Sequence, residues 1–367
     1  MLFIIIFLTI YFFINFYFFY KIKHFLNIKS KYIYIFPVLM TLSPVFYRFY
    51  DKAGFDNFYL SFFILWYMGF VILFGIYYFF IDFYHFLLKI IHKIVGHNPL
   101  PHISIKKGFI FVFALSILST AYGYYETLNL QVYRFIIYSD KVEKDFKILH
   151  ISDLHLNQVM REDKIKKIIE IYEKEKPDIV ISTGDLVDGN VKNKISYINL
   201  LRKINPPLGK YAILGNHEYY ADVEQAIDFT QKSGFLLLRD SFIYLPYNVA
   251  IVGVDDIEAE RFGILRKYND LEILNKVDKD KFIIFLKHQP KIDKNIIGKF
   301  DLALCGHTHG GVIFPVKYIL RKIFITDAGF LKGGNSYIFV SRGVGTGAAP
   351  LRIGALPDVA IFEIKKK

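Results

Sequence analysis

Between Leu2 and Tyr20 the chain carries no charged residue, and a segment of that kind has few folds open to it. About twenty apolar residues, rising about 1.5 Å each, cross the hydrocarbon core of a bilayer. No water is present there to satisfy a backbone N–H or C=O, so the segment must bond to itself as a helix. No basic stretch precedes the run and no small-residue cleavage site follows it, which argues against a removable signal peptide. Two further runs, Phe58 to Ile81 and Gly108 to Tyr125, are long enough to span and carry aromatic residues near their ends, as interfacial anchors do. A weaker run, Tyr32 to Tyr47, is short and holds Pro37 and Pro44, which suits a kinked span or a re-entrant piece. The expectation is an all-α transmembrane region over residues 1–127 with four spans, three being the alternative.

Between the third and fourth runs, Asp82, His85, Lys89, His92 and Lys93 recur mostly every three to four residues, with Phe86, Leu87, Ile90, Ile91 and Ile94 opposite them. That pattern predicts a helix lying in the interface near 82–96, and makes His85, His92 and His97 polar-face residues rather than metal ligands. Lys21, Lys23, Lys29 and Lys31 follow the first run and Lys89, Lys93, Lys106 and Lys107 precede the last, while the intervening loop has only Arg48 and Lys52. The positive-inside rule then places the carboxyl-terminal half on the extracytoplasmic side, although Arg134, Lys141 and Lys144 oppose that assignment. The net charge of +12 comes from lysines scattered among acidic residues. Without a recognisable nucleic-acid module it predicts no nucleic-acid partner, and it suits anionic lipid headgroups.

After a linker over 128–145 the composition becomes that of a water-soluble domain, 146–367. Phe146–Ile151, Asp178–Thr183 and Tyr211–Leu214 read as strands, and Asp163–Glu175 and Lys192–Ile204 as helices. Strands alternating with helices imply parallel pairing through crossovers, with functional groups at the carboxyl ends of the strands. The single cysteine, Cys305, excludes an intrachain disulfide and, closing an apolar run, reads as a buried strand thiol.

Each strand leads into a polar motif: Asp153-Leu154-His155, Gly184-Asp185-Leu186-Val187-Asp188 and Gly215-Asn216-His217-Glu218. Further on, Ile283–Leu286 leads into Lys287-His288-Gln289-Pro290, and Leu302–Leu304 into Gly306-His307-Thr308-His309-Gly310-Gly311. A lone histidine is more often a satisfied core or surface residue than a ligand. Yet the soluble half has six histidines and five fall inside these motifs; only His150, within the first strand, does not, and it suggests core packing or a hydrogen bond to a neighbour.

This ordered set resembles the calcineurin-like metallophosphoesterase superfamily over about residues 146–364. The resemblance implies a four-layer αββα sandwich and a phosphoesterase with two divalent cations, for which a mixed nitrogen and oxygen shell favours Mn, Fe or Zn. It makes Asp153, His155 and His309 ligands of the first cation, Asp185 the bridge, and Asn216, His288 and His307 ligands of the second. It makes His217 the catalytic histidine that stabilises the phosphoryl group and protonates the leaving oxygen. The implied reaction is in-line attack of a metal-bridging hydroxide on phosphorus, with no covalent enzyme intermediate.

Asp188 and Glu218 are either carboxylates that orient imidazole ligands or solvated loop residues. Gly184, Gly215, Gly306, Gly310 and Gly311 let the backbone turn after each strand. Val252-Gly253-Val254-Asp255-Asp256 and the tail Val340–Arg352 look like the membrane-associated bacterial branch, which implies an integral protein of the inner membrane. Arg342 and Arg352 are candidates for substrate phosphate, against an ordinary glycine-rich connection between strands. Val312 departs from the branch, which usually carries glutamine there. The expected substrate is a phosphate mono- or diester, including lipid or lipid-linked esters at the bilayer. The alternatives are a pyrophosphate hydrolase acting on the UDP-diacylglucosamine of lipid A synthesis, and a non-catalytic membrane scaffold on the same fold.

Overall fold

The computed structural model describes residues 2–97, 100–192 and 194–367. Two compact units divide the chain: one runs from the N-terminus to Tyr124 and takes in Ala348–Leu351, and the other comprises Tyr125–Gly347 with Arg352–Lys367.

The first unit contains α1 (Leu2–Phe25), α2 (Ile35–Lys52), α3 (Phe58–Val95) and most of α4 (Ile105–Thr127). Among the described residues these four helices are long and apolar enough to cross a membrane. Several polar groups among them find partners, since an unpaired polar group in hydrocarbon is costly. Lys21 Nζ donates to Asp82 at 2.7 Å, Tyr17 OH donates to the same carboxylate at 2.5 Å, and Tyr67 OH donates to Asn15 Oδ1 at 2.7 Å. Residues 82–95, expected as a separate interfacial helix, continue the third span without a break. No glycine or proline occurs between Ile81 and Val95, and the helix ends only at Gly96, whose φ of +82° forms a left-handed cap. With 38 residues, α3 is about 57 Å long, against about 30 Å for a hydrocarbon core.

The second unit begins with a strand where a linker was expected. β1 (Gln131–Ser139) occupies most of 128–145 and pairs in parallel with the last strand; its Val, Tyr, Phe and Ile residues are good strand formers. There follow β2 (Phe146–Ile151), α5 (Glu162–Glu175), β3 (Ile179–Ser182), α6 (Ile195–Arg202), β4 (Lys210–Ala212), α7 (Asn216–Ala221), α8 (Val223–Lys232), β5 (Leu236–Leu237), β6 (Ser241–Leu245), β7 (Val249–Gly253), α9 (Asp270–Leu274), β8 (Phe282–Leu286), β9 (Leu302–Cys305), α10 (Lys317–Ile323), β10 (Gly329–Gly333), β11 (Ser336–Val340) and β12 (Asp358–Lys366).

These strands form two six-stranded sheets, ordered β1-β12-β2-β3-β4-β5 and β10-β11-β9-β8-β7-β6. The expected parallel pairing holds along β2-β3-β4-β5 in one sheet and β7-β8-β9-β11 in the other. Ile148, Ile181, Ile251, Ile284, Phe339 and Phe362 fill the space between the sheets. Outside the first sheet lie Ile165 and Ile168 of α5, Leu201 of α6 and Phe229 of α8. Outside the second lie Ile273 and Leu274 of α9. The order is therefore helix, sheet, sheet, helix, the four-layer α/β sandwich, with Cys305 buried in its strand.

At one edge an aromatic cluster joins the sheets. Phe362 of β12 stacks on Phe135 of β1 with centroids 5.3 Å apart, and meets Phe339 of β11 edge-on at 5.5 Å. Replacing this fully buried ring by alanine (Phe362→Ala) should cost about 3–5 kcal/mol. The exposed Tyr138→Ala on the neighbouring strand should stay within about 0.5 kcal/mol; denaturant or thermal unfolding of the detergent-solubilised chain compares the two.

Candidate metal centre

Every strand that precedes a motif delivers its side chains to one place. Asp153 and His155 follow β2, Asp185 follows β3, and Asn216 opens α7 just after β4; His288 follows β8, and His307 and His309 follow β9. One sheet thus supplies four of the seven expected ligands and the other three.

Among the described residues the donor atoms of the expected ligands form two clusters, and His155 and Asp185 also converge with His217. Asp153, His155 and His309 bring ligand atoms within 4.8 Å of one another, with the two Nε2 atoms 2.9 Å apart. Asp185, His288 and His307 do the same, and Asn216 Oδ1 joins them at 2.8 Å from His307 Nδ1 and 3.1 Å from His288 Nε2. Asp185 Oδ2 stands between the clusters, 3.2 Å from His288 Nε2 and 3.7 Å from His155 Nε2. His217 Nε2 faces the same carboxylate at 4.0 Å.

Hydrogen-bond chemistry tests whether these residues suit a cation. His288 Nδ1 must donate to the carbonyl of Thr183, 2.8 Å away, because a carbonyl can only accept. In a neutral ring Nε2 is then a bare lone pair, and it faces Asn216 Oδ1, Asp185 Oδ2 and, at 3.3 Å, His307 Nδ1. Acceptors crowded together in a buried site require positive charge. Burial alone would push the His288 pKa down, but the Asp185 carboxylate outweighs it and holds that pKa well above the usual imidazole range, so a proton supplies the charge when no cation does. Burial pushes His307 down to about 3, and burial with the neighbouring His155 holds His309 well down, leaving both rings neutral as ligands must be. The set fits a pair of cations.

The backbone is bent to achieve this. Asp153, His155, Asp185, His307 and His309 all have φ between 49° and 73°, a region side chains other than glycine seldom adopt, and such strain concentrates at functional sites. Gly215 is required for a different reason. Its φ is ordinary, but a Cβ there would collide with Asp185 Oδ1 and sit 2.8 Å from the His288 ring.

The remaining candidate residues have definite partners. Asp188 accepts from His217 Nδ1 at 2.6 Å and lies 3.5 Å from His155 Nδ1. Burial raises its pKa, but the His217 charge and the bonds from both rings hold it well below the carboxylate range. The Glu218 carboxylate accepts from the backbone N–H of Gly215 (2.7 Å), Asp185 (3.0 Å) and Val187 (2.9 Å), strapping two motif loops together. Burial, with the Asp185 charge adding, pushes its pKa up to about 7.

Arg352 is fully buried. It donates to the carbonyls of Gly343, Gly345 and Ala355 and reaches within 3.0 Å of His309 Nδ1, fixing the glycine-rich tail behind that ring. Arg342 is taken up by Asp358 and lies over the Tyr133 ring. The sequence reading missed Ser152 and Thr183. His150 Nε2 pairs with Thr183 Oγ1 (2.8 Å), which donates to Ser152 Oγ (2.8 Å), which donates to Asp153 Oδ2 (2.5 Å), so a chain of hydroxyls ties the strand interior to a candidate ligand.

Comparison with known proteins agrees with this geometry. The calcineurin-like phosphoesterase family matches residues 146–311. An uncharacterised metallophosphoesterase of Aquifex aeolicus is 46% identical over 257 residues, covering 69% of this chain and 98% of that protein. The chain belongs to the calcineurin-like metallophosphoesterases. An uncharacterised metallophosphoesterase of Helicobacter pylori is 31% identical over 249 residues, 67% of each chain. A Danio rerio transmembrane protein with a metallophosphoesterase domain is 28% identical over 232 residues, 60% of this chain and 53% of that one. Within this metallophosphoesterase the ligand clusters fall inside the matched segment.

Two predictions follow from the local bonding. Glu218→Gln loses acceptor capacity toward three backbone N–H groups and should cost about 1–3 kcal/mol of stability, seen as a lowered melting temperature together with weaker cation binding. Because the His288 pKa is raised in the cation-free protein, cation uptake must displace a proton; affinity should therefore rise with pH, and titration calorimetry in buffers of different ionisation enthalpy should detect the proton released.

Proposed function

We propose that the protein is a membrane-anchored phosphoesterase that hydrolyses phosphate mono- or diesters with two divalent cations, on lipid or lipid-linked substrates at the bilayer. The observation that carries this reading is the convergence of seven candidate ligand side chains from five strand ends, with Asp185 between two clusters. Asp153, His155 and His309 would hold one cation, Asn216, His288 and His307 the other, and Asp185 both. Mn, Fe or Zn suits this mixture of imidazole and oxygen donors. When bound, such a pair supplies charge stabilisation at phosphorus and a nucleophile at neutral pH.

The chain's own residues orient and move protons. Asp188 accepts from His217 Nδ1 and so directs Nε2 into the site, where it holds a proton for the leaving oxygen. No side chain is needed as a covalent nucleophile. The four apolar helices integrate the protein in a membrane; the similarity to bacterial metallophosphoesterases favours a bacterial inner membrane, and the lysine distribution favours a phosphoesterase domain outside the cytoplasm.

Asp185→Ala and Asn216→Ala should each reduce hydrolysis of bis-p-nitrophenyl phosphate to background, and a chelator should do the same reversibly. Unchanged turnover in Asp185→Ala would remove the proposal. Asp188→Asn should keep the cations yet lower kcat by about 10–100-fold, because His217 loses its orienting carboxylate; metal analysis beside steady-state kinetics separates the two effects.

A further inference from the structure

Two exposed apolar segments of the phosphoesterase unit adjoin the metal centre, and neither is explained by the chemistry above. The first is 314–325, which holds Lys317, Arg321 and Lys322, no acidic residue, and otherwise only apolar or aromatic residues and Pro315. Its helix α10 has no buried residue, and Phe314, Tyr318, Ile319 and Ile323 are each more than half exposed. The segment is nevertheless anchored at its far end. Phe324 packs edge-on against the candidate ligand His307 at 5.4 Å, and Arg321 pairs with Asp327, whose carbonyl accepts from Thr308 inside the ligand loop.

The second segment is 257–265, in which Glu258, Glu260 and Arg261 are interspersed with apolar residues. Phe262 and Leu265 are 50% and 84% exposed, and Phe262 lies 6.0 Å from Tyr220, which in turn packs 5.5 Å from the His217 ring. One exposed apolar segment thus reaches a candidate ligand directly, and the other reaches the candidate acid through one ring.

Soluble surfaces seldom place several large apolar side chains side by side unless something covers them. In 314–325, apolar residues interleaved with lysine and arginine, and no acid, match an anionic lipid surface, in which the rings enter the headgroup boundary and the cations meet phosphate; 257–265 adds apolar side chains alone, its Arg261 being paired with Glu258. In a chain that four helices anchor in a membrane, such a surface is always present. The geometry points to segments 314–325 and 257–265 as a bilayer-docking rim that presents headgroup phosphoesters of anionic phospholipids to the metal centre. This rests on the phosphoesterase reading and names its substrate class.

The test uses the full chain in nanodiscs of phosphatidylcholine containing phosphatidic acid or phosphatidylglycerol, with bis-p-nitrophenyl phosphate as the soluble comparison. Wild type should hydrolyse one of the two anionic lipids and the aryl ester. Ile319→Asp combined with Ile323→Asp should lower lipid hydrolysis at least about tenfold while aryl turnover stays within about twofold. Leu265→Asp, at a position too exposed to disturb folding, should shift the ratio in the same direction. An unchanged ratio in both variants overturns the inference, as does equal loss on both substrates, or a rim whose masking is traced by cross-linking to a second copy. A wild type active on the aryl ester and on neither lipid overturns it too, and leaves the phosphoesterase reading standing; a wild type inactive on every phosphoester with every cation removes that reading itself.

Discussion

The organisation of the second unit follows from one electrostatic requirement: carboxylates, an amide oxygen and bare imidazole nitrogens meet in a buried space around Asp185, where only positive charge makes their proximity tolerable. Much of the surrounding structure serves to hold those atoms in place against their mutual repulsion. Glu218 fixes two loops through three backbone N–H groups, Arg352 ties the tail behind His309, and Thr183 sets the tautomer of His288. None of these three needs to touch substrate to matter.

The parts of the fold legible in the sequence are those with a strong local signature. Charge-free runs announced the helices of the first unit, because hydrocarbon permits no other structure for them. Short apolar runs ending in Asp, Asn and His announced β2, β3, β4, β8 and β9 together with the convergence of the candidate ligands, since parallel strands present their ends on one side. β1 was less visible: its residues favour a strand, but its partner β12 lies more than two hundred residues away, and no local pattern names a partner. α3 continued past Ile81 because a change from apolar to amphipathic pattern alters what surrounds a helix without interrupting its hydrogen bonds.

The supporting residues were legible only in part, for a related reason. Ser152 and Thr183 are small hydroxyl residues at strand ends, chemically unremarked until a rotamer and a neighbour make them links in a chain to Asp153. Arg352 carries a charge that suggests phosphate, yet its burial behind His309 gives it carbonyl oxygens instead. A sequence reports what a side chain can bind, whereas topology decides which partner it meets. Candidate ligand positions also depart from local preference: Asp153, His155, Asp185, His307 and His309 occupy left-handed backbone conformations that propensity disfavours.

Four candidate ligands rise from one sheet and three from the other, so the spacing of the site is a property of how the two layers are stacked. A slip of one layer over the other by a fraction of an ångström would pull His288 from Asp185 without altering any residue nearby. The packing of Ile148, Ile181, Ile284 and Phe362 between the layers therefore acts as the gauge block of the candidate metal centre, and distant repacking in that interior can shift its donor atoms as effectively as a change at the site itself.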